Sequence, residues 1–437
     1  MKFVKSAIAT FATNILMFGI SVITTIVTAR ILGTDGKGVI GVSNTVITFS
    51  MIILGFGLAS SNIYYIGKHR DKLNEIIGIN FMVFVFSIFA MIIFYFLNLN
   101  FHFKALKGID NSTFIVVLMI VPLMNLKSLL INVILGLQEV KSYNLINMLD
   151  SIVTFTLLMI FIFNYKDPYH VMVSALISSV IICTILCYII FCKKKVKLKY
   201  DNNIFKGIIK YGFKAQIANV VQLMNYKLDV LIIGGLLPIG QVGIYTTAVQ
   251  LGETLWKISG SVGTIIFPMT SSNENSSDMK DFINKVTRVT FHIILLCAVI
   301  LILISKPLVK LLLGKDFGPS VEPLRWIMPG IVLFSISNIL SSYIAGIGKI
   351  EKNIIASSAS CIVTVVLDFT LIPLMGINGA AIASSISYMV FTVIIVIFYK
   401  NITSSKISDM LFLKKSDIVE LKCRIKTLIA SKKRTEG

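Results

Sequence analysis

Residues 76–97, IIGINFMVFVFSIFAMIIFYFL, run without a single acid or base and are long enough to cross a bilayer as one helix. A helix rises about 1.5 Å per residue, so roughly 20 apolar residues cover the hydrocarbon. Working outward from that stretch, comparable windows lie at 7–31, 39–66, 114–135, 144–163 and 171–191, then at 208–237, 242–267, 289–305, 324–344, 354–375 and 377–399. Hydrophobic residues make up 56% of the 437, charged residues only 14%, and the mean hydropathy is +0.86. Spans on that scale use up most of the apolar residues, which leaves little for a soluble catalytic domain. The expectation is an all-α polytopic membrane protein with about 12 transmembrane helices.

Lys and Arg number 41 against 21 acids, a net charge of +20. In a soluble chain that excess would point to nucleic acid, but no basic or aromatic nucleic-acid motif is present, and no such partner is expected. A cytoplasmic N-terminus puts 27 of the basic residues in inward loops and tails, 7 in outward loops and 7 within spans. Inward loops of membrane proteins collect Lys and Arg, and anionic headgroups attract them, so both termini are expected in the cytoplasm of a bacterial inner membrane. The outward loop with Lys306, Lys310 and Lys315 runs against that rule. The first apolar stretch lacks a small-residue cleavage site and reads as a retained span. Six cysteines, with no Cys-x-x-Cys and no neighbouring His, suggest neither disulfides nor zinc, and no metal or cofactor is expected.

The two sets of six spans resemble each other. Gly136 with Ile152-Val-Thr154 matches Gly346 with Ile362-Val-Thr364 at an offset of 210. Gly38-x-x-Gly41 pairs with Gly240-x-x-Gly243, and Ser174-Ala-Leu-Ile-Ser-Ser179 with Ala380-Ala-Ile-Ala-Ser-Ser385. Six is even, so both copies keep one orientation and form two six-helix lobes related by a parallel internal repeat. The division is 1–192 for the first lobe, 193–207 for a basic linker (Lys193, Lys194, Lys195, Lys197, Lys199), 208–399 for the second lobe and 400–437 for a basic amphipathic tail.

Polar groups in lipid cost several kcal/mol each, so polar stripes within apolar helices face protein or a wet cavity. In the seventh span Asn219, Gln222, Tyr226 and Asp229 fall within about 80° of one another, and Asn14 and Thr25 belong to a similar stripe in the first. The eighth carries Thr246, Gln250, Glu253, Lys257, Ser261 and Thr264 at three- and four-residue spacing, with Asn44 on its counterpart, the second span. The fifth and eleventh add Asp150 and Asp368. Candidate cavity cations are Lys227, Lys257, Lys127 and Arg30. Candidate ion-coupling acids are Asp229, Glu253, Asp150 and Asp368. Plainer roles compete: Glu253 and Lys257 form an i, i+4 pair in the favourable order, Lys214 and Arg30 suit interface anchors, and any one of the carboxylates suits a fixed partner for a neighbouring lysine.

No enzyme constellation stands out. There is no Gly-x-x-x-x-Gly-Lys loop, no His-Glu-x-x-His and no Gly-x-Ser-x-Gly, and the longest outward loop, about 305–323, is too short for a catalytic module. The chain is not expected to be an enzyme.

Ala29-Arg-Ile-Leu-Gly33 followed by Gly36-Lys-Gly-Val-Ile-Gly41, Lys210-Tyr-Gly-Phe213, Leu228-Asp229, Gly240-x-x-Gly-Ile-Tyr245 and Gly376-Ile-Asn-Gly-Ala-Ala-Ile-Ala383 resemble the polysaccharide-biosynthesis flippases of the multidrug/oligosaccharidyl-lipid/polysaccharide (MOP) exporter superfamily. The resemblance covers residues 1 to about 400 and rests on small-residue patterns, which mark the family better than the substrate. It implies two lobes around a central cavity and transport of undecaprenyl-diphosphate-linked oligosaccharide units from the inner to the outer leaflet. H+ or Na+ would be the coupling ion and glycan polymerase machinery the downstream partner. Hydrogen-bonding stripes suit a sugar headgroup and lysines suit a diphosphate. A drug or metabolite antiporter of the same superfamily and a lipid II flippase are the alternatives, with a polytopic glycan polymerase or ligase third.

Overall fold

The computed structural model describes residues 2–272 and 277–414. The tail beyond residue 414, read above as an interfacial helix, lies outside the described residues. The described residues form fourteen α-helices and no strand: α1 (Lys2–Gly55), α2 (Leu58–Lys68), α3 (Leu73–Phe101), α4 (Asn111–Gly136), α5 (Val140–Tyr165), α6 (Pro168–Cys187), α7 (Asn202–Leu236), α8 (Ile239–Glu253), α9 (Trp256–Ser272), α10 (Ser277–Leu312), α11 (Val321–Gly346), α12 (Ile350–Met375), α13 (Ile377–Thr403) and the short α14 (Ile407–Leu411).

Nine helical segments among the described residues are long and apolar enough to cross a membrane. Three adjustments relate nine to twelve. The apolar part of α1, Leu16–Gly55, has 40 residues and covers about twice the bilayer thickness. Gly33, at φ 66, ψ −166, divides it into two spans, a conformation open to glycine because it lacks a Cβ. Helix α7, with 35 residues, is long enough to supply a further span, and α8 with α9 make one span interrupted at 254–255. The second predicted span, 39–66, is likewise not continuous, because Phe56 (φ 47) and Gly57 (φ 71) break it before α2. Hydropathy sees apolar length and is blind to such breaks.

The repeat is visible in the helix ends. Helices α4 and α11 start and stop 210 residues apart, as do α5 and α12. The turns between them use left-handed residues at Gln138 (φ 64) and Gly348 (φ 79), and those after them at Lys166 (φ 54) and Gly376 (φ 60), again 210 apart. Thr154 Oγ1 meets Ser178 Oγ at 2.6 Å, and Thr364 Oγ1 meets Ser387 Oγ at 2.7 Å. That pairing sets α6 against α13 at an offset of 209, whereas the Ser174–Ser179 match uses 206. Small-residue patterns slide easily by one helical turn.

Chain contacts define two compact units. One comprises the described residues up to Thr247 with Pro307–Ser320 and Asp368–Ile377. Within it α4 packs against α1, α2, α3 and α6, and a core of Leu58, Ile66, Ile76, Leu129, Ile134 and Leu186 is fully or almost fully buried. The two Gly-x-x-Gly segments meet in this unit: a Cβ on Gly38 would overlap the carbonyl of Ile239, and one on Gly243 would overlap the carbonyl oxygen of Thr34 and stand 2.8 Å from the Gly38 nitrogen. The other unit comprises Ala248–Lys306, Val321–Leu367 and the described residues from Asn378 on. There α9 packs on α11, the Trp256 ring lies 4.6 Å from Phe334 and 5.0 Å from Tyr388, and Asn338 donates to Ser259 Oγ at 3.1 Å.

Candidate functional site

In the first unit, the polar stripe of α7 forms as a file on one helix face. Gln222 Nε2 donates to Tyr226 Oη one turn away at 2.9 Å. Asn219 and Gln222 are exposed, Tyr226 and Lys227 half-buried, and Asp229 buried. Asp229 accepts from the Val230 backbone N–H at 2.7 Å through Oδ1 and from the Tyr245 hydroxyl of α8 through Oδ2. Asp368 of α12 is fully buried, and neither of its carboxylate oxygens has a hydrogen-bond partner among the described residues. It lies within electrostatic reach of Asp229. Two carboxylates removed from water are costly to keep charged, so the pair is suited to holding one proton or one monovalent cation. The sequence singles out each acid, but Tyr245 enters it only as the end of the Gly240-x-x-Gly-Ile-Tyr motif.

The same unit joins two residues that the sequence reading assigns to different roles. Lys127 Nζ of α4 donates to both oxygens of Asp150 of α5, at 3.0 and 2.9 Å. Thr154, one turn along α5, reaches Asp150 Oδ1 at 3.5 Å and ties α5 to α6 through Ser178. The two side chains retain 14% and 24% exposure, so the pair is partly open.

Arg30, read as a cavity cation, is spent elsewhere. Its Nε donates to the Leu312 carbonyl at 2.7 Å and its Nη2 to that of Leu311, so the guanidinium caps the C-terminus of α10, where the helix dipole favours a cation. Thr25 turns its hydroxyl onto its own helix, to the Ser21 carbonyl at 2.9 Å. Asn44 is exposed. The side chains of Asn14 and Lys214 lie outside the described residues. Lys37 is missed by the sequence reading, which counts it in an outward loop. Helix α1 resumes after Gly33, and Lys37 is buried with Nζ 3.1 Å from Thr28 Oγ1.

In the second unit, Gln250 and Lys257 are exposed and Glu253 is half-buried. The eighth predicted span is interrupted between Glu253 and Trp256, where Leu255 N–H bonds the Gly252 carbonyl at 3.0 Å and Lys257 N–H the Thr254 carbonyl at 3.3 Å. The regular spacing from Thr246 to Thr264 therefore does not describe one straight face. Glu253 and Lys257 remain in electrostatic contact across the break. No cluster of three or more metal-ligating side chains occurs among the described residues.

The family model described as "Polysaccharide biosynthesis protein" matches residues 27–322, which include the polar stripe of α7, the Lys127–Asp150 pair and the break after Glu253. The chain belongs to this family. Among curated relatives, a putative O-antigen transporter of Shigella flexneri is 23% identical over 390 residues, covering 86% of this chain and 92% of that one. Among solved structures, the lipid II flippase MurJ in its inward closed conformation superposes with a TM-score of 0.76 at 17% identity, covering 93% of this chain and 89% of that one. An inward-facing multidrug resistance MATE family transporter of the MOP superfamily gives 0.70 at 16%, covering 91% and 98%. This member of the polysaccharide biosynthesis family is therefore a multi-pass membrane protein with the fold of MOP-superfamily transporters.

Proposed function

We propose that the protein is a flippase that carries undecaprenyl-diphosphate-linked oligosaccharide units from the inner to the outer leaflet of a bacterial inner membrane. The observation that carries the reading is the family match over residues 27–322, supported by the O-antigen-type relative that aligns along 86% of the chain. The chemistry of the intramembrane groups fits such a cargo. Asn219, Gln222, Tyr226 and Gln250 offer hydrogen bonds to sugar hydroxyls, Lys227 and Lys257 offer charge to a diphosphate, and the lipid tail stays in the bilayer. Hydroxyls and amides on apolar helices are tolerated in a membrane where they face water or glycan and not lipid.

Alternating access supplies the path, and the glycine contact between Gly38 and Gly243 is the contact that outward opening breaks. Asp229 and Asp368 are the coupling site, taking up a proton or Na+ in one state and releasing it in the other. Both termini are cytoplasmic, and the glycan is consumed by polymerase machinery on the far side.

The test is reconstitution. The purified chain in liposomes, loaded with a lipid-linked oligosaccharide bearing a headgroup label, is expected to expose the label to an impermeant quencher at a rate above protein-free vesicles. An equal rate refutes the flippase reading.

A further inference from the structure

The internal repeat supplies its own control for the Lys127–Asp150 pair. Because α4 and α11, and α5 and α12, run in register at an offset of 210, Lys127 corresponds to Ser337 and Asp150 to Ser360. In the second copy both positions are fully buried hydroxyls that tie the local helices together. Thr392 Oγ1 donates to Ser337 Oγ at 3.1 Å, and Ser360 Oγ donates to the Ser387 carbonyl at 2.8 Å. The second copy thus fills the two equivalent positions with neutral side chains, at low desolvation cost, and bonds both of them to α13.

The first copy uses full charges instead. A buried ion pair returns less stability than its desolvation takes, and neutral packing of the same site is commonly as stable or more so. The tie between α5 and α6 is already made by Thr154 and Ser178, as it is by Thr364 and Ser387 in the other copy. Asp150 is not needed for that seam, and its own bonds run to Lys127 across α4–α5 and to Thr154 on its own helix. Its carboxylate accounts for both hydrogen bonds recorded for Lys127 Nζ. The two side chains keep 14% and 24% exposure, so the pair is not sealed within the core.

We propose that Lys127 is a diphosphate-binding residue and that Asp150 is its resident counter-ion, displaced when the anion arrives. The inference rests on the flippase reading and adds a site in the first repeat to the cations of α7 and α9. In the empty protein Asp150 neutralises the ammonium and holds it in place. A diphosphate oxygen then takes over the Nζ donors, and the carboxylate stays beside Thr154. Binding at Lys127 is an exchange of one anion for another, so the ammonium is paired before and after the cargo arrives, and the displaced carboxylate opposes binding.

The experiment compares the wild-type full chain with Lys127→Ser/Asp150→Ser, which copies the chemistry of the second repeat, with Lys127→Arg, and with Asp150→Asn. Binding is measured with inorganic diphosphate and with undecaprenyl diphosphate in phosphatidylcholine vesicles, and again with phosphatidylglycerol added as competitor. Circular dichroism checks folding. Loss of a charge-assisted contact is expected to weaken diphosphate binding by about tenfold or more in the double variant, while Lys127→Arg stays within about threefold. Asp150→Asn, which removes the competing anion, is expected to bind more tightly than wild type. A purely structural pair predicts the reverse order for Asp150→Asn, and unchanged or weaker binding there overturns the proposal. Equal competition by phosphatidylglycerol overturns the assignment to diphosphate in favour of a phospholipid headgroup. If wild type binds inorganic diphosphate in this pattern but moves no lipid-linked glycan, the flippase reading fails and the anion site stands. If wild type moves glycan and the double variant moves and binds it equally, the anion site fails alone.

Discussion

Substitution of Gly243 by alanine puts a methyl group where the structure has the Thr34 carbonyl and, 2.8 Å off, the Gly38 nitrogen. Ordinary carbon contacts to backbone atoms begin near 3.4 Å, and the atoms met here belong to a second backbone and not to a flexible side chain. The two segments must part by an amount on the order of 1 Å. Overpacking on that scale costs about 1–3 kcal/mol, and the cost falls only on the state in which the segments touch. The preference of a helix for alanine over glycine acts in both states and cancels. At 1.4 kcal/mol per tenfold, the equilibrium is expected to shift from the state described here by about 5-fold to 150-fold. The assay is the rate at which an impermeant maleimide reacts with a single cysteine placed at Asn219, in a background with the native cysteines replaced and the reagent on the outer side. Gly243→Ala is expected to raise that rate at least fivefold and to slow transport, since the cycle can no longer close. A folded Gly243→Ala protein with wild-type labelling and wild-type transport refutes the gating role of the glycine contact.

Asp368→Asn is expected to remove the dependence of initial flipping rate on an imposed H+ or Na+ gradient while leaving helical content unchanged; a retained dependence excludes Asp368 from coupling. Arg30→Ala leaves the last carbonyls of α10 without their cap, and at an exposed helix end this is expected to cost about 0.3–1 kcal/mol of stability, read by denaturant or thermal unfolding, with diphosphate affinity unchanged. Reduced affinity would return Arg30 to the substrate path. Outside the membrane, the Lys414 ammonium donates a hydrogen bond to Asp409 and holds its carboxyl below the usual range. Since the folded value is the lower one, the contribution is present above the unfolded value of about 3.9 and is lost as pH falls through the folded one. The stability gap between wild type and Asp409→Asn is accordingly expected at pH 7 and to vanish in strong acid; a gap that persists there assigns the effect to something other than the ionised carboxylate.

The spans and their number are legible because hydropathy over about 20 residues is a strong one-dimensional signal. Breaks are not, because Gly33, Phe56 with Gly57 and the turn after Glu253 interrupt helices without adding polar residues enough to lower the average. Asp229 and Asp368 are conspicuous as intramembrane acids, yet 139 positions separate them in the chain and no periodicity relates α7 and α12. Lys127 and Asp150 appear as one cation and one acid with separate roles, and only the packing of α4 against α5 makes them a pair. Lys37 looks like a loop residue because Gly33 and Gly36 suggest a loop, whereas the helix resumes directly after the glycine. Arg30 shows how a correct depth can carry a wrong partner: its position near a span end is plain, but its attachment to α10 is a contact across 281 residues.

Helix α7 has 35 residues, enough to cross a bilayer with length to spare. Its interior carries Asn219, Gln222, Asn225, Lys227 and Asp229, and each ionised side chain near the centre of an inserting helix costs about 2.5–3.5 kcal/mol. Left alone at the insertion machinery, such a segment stays in water. It enters the bilayer when Asp229 finds Tyr245 and Gln216 finds the Ile52 carbonyl, that is, when α1 and α8 are at hand. Synthesis therefore passes through an interval in which α7 has emerged and α8 has not, and a chain halted at residue 237 is expected to leave α7 extractable by alkali while one halted at residue 272 does not. The residues that would handle the cargo are the ones that make the protein depend on the order of its own assembly.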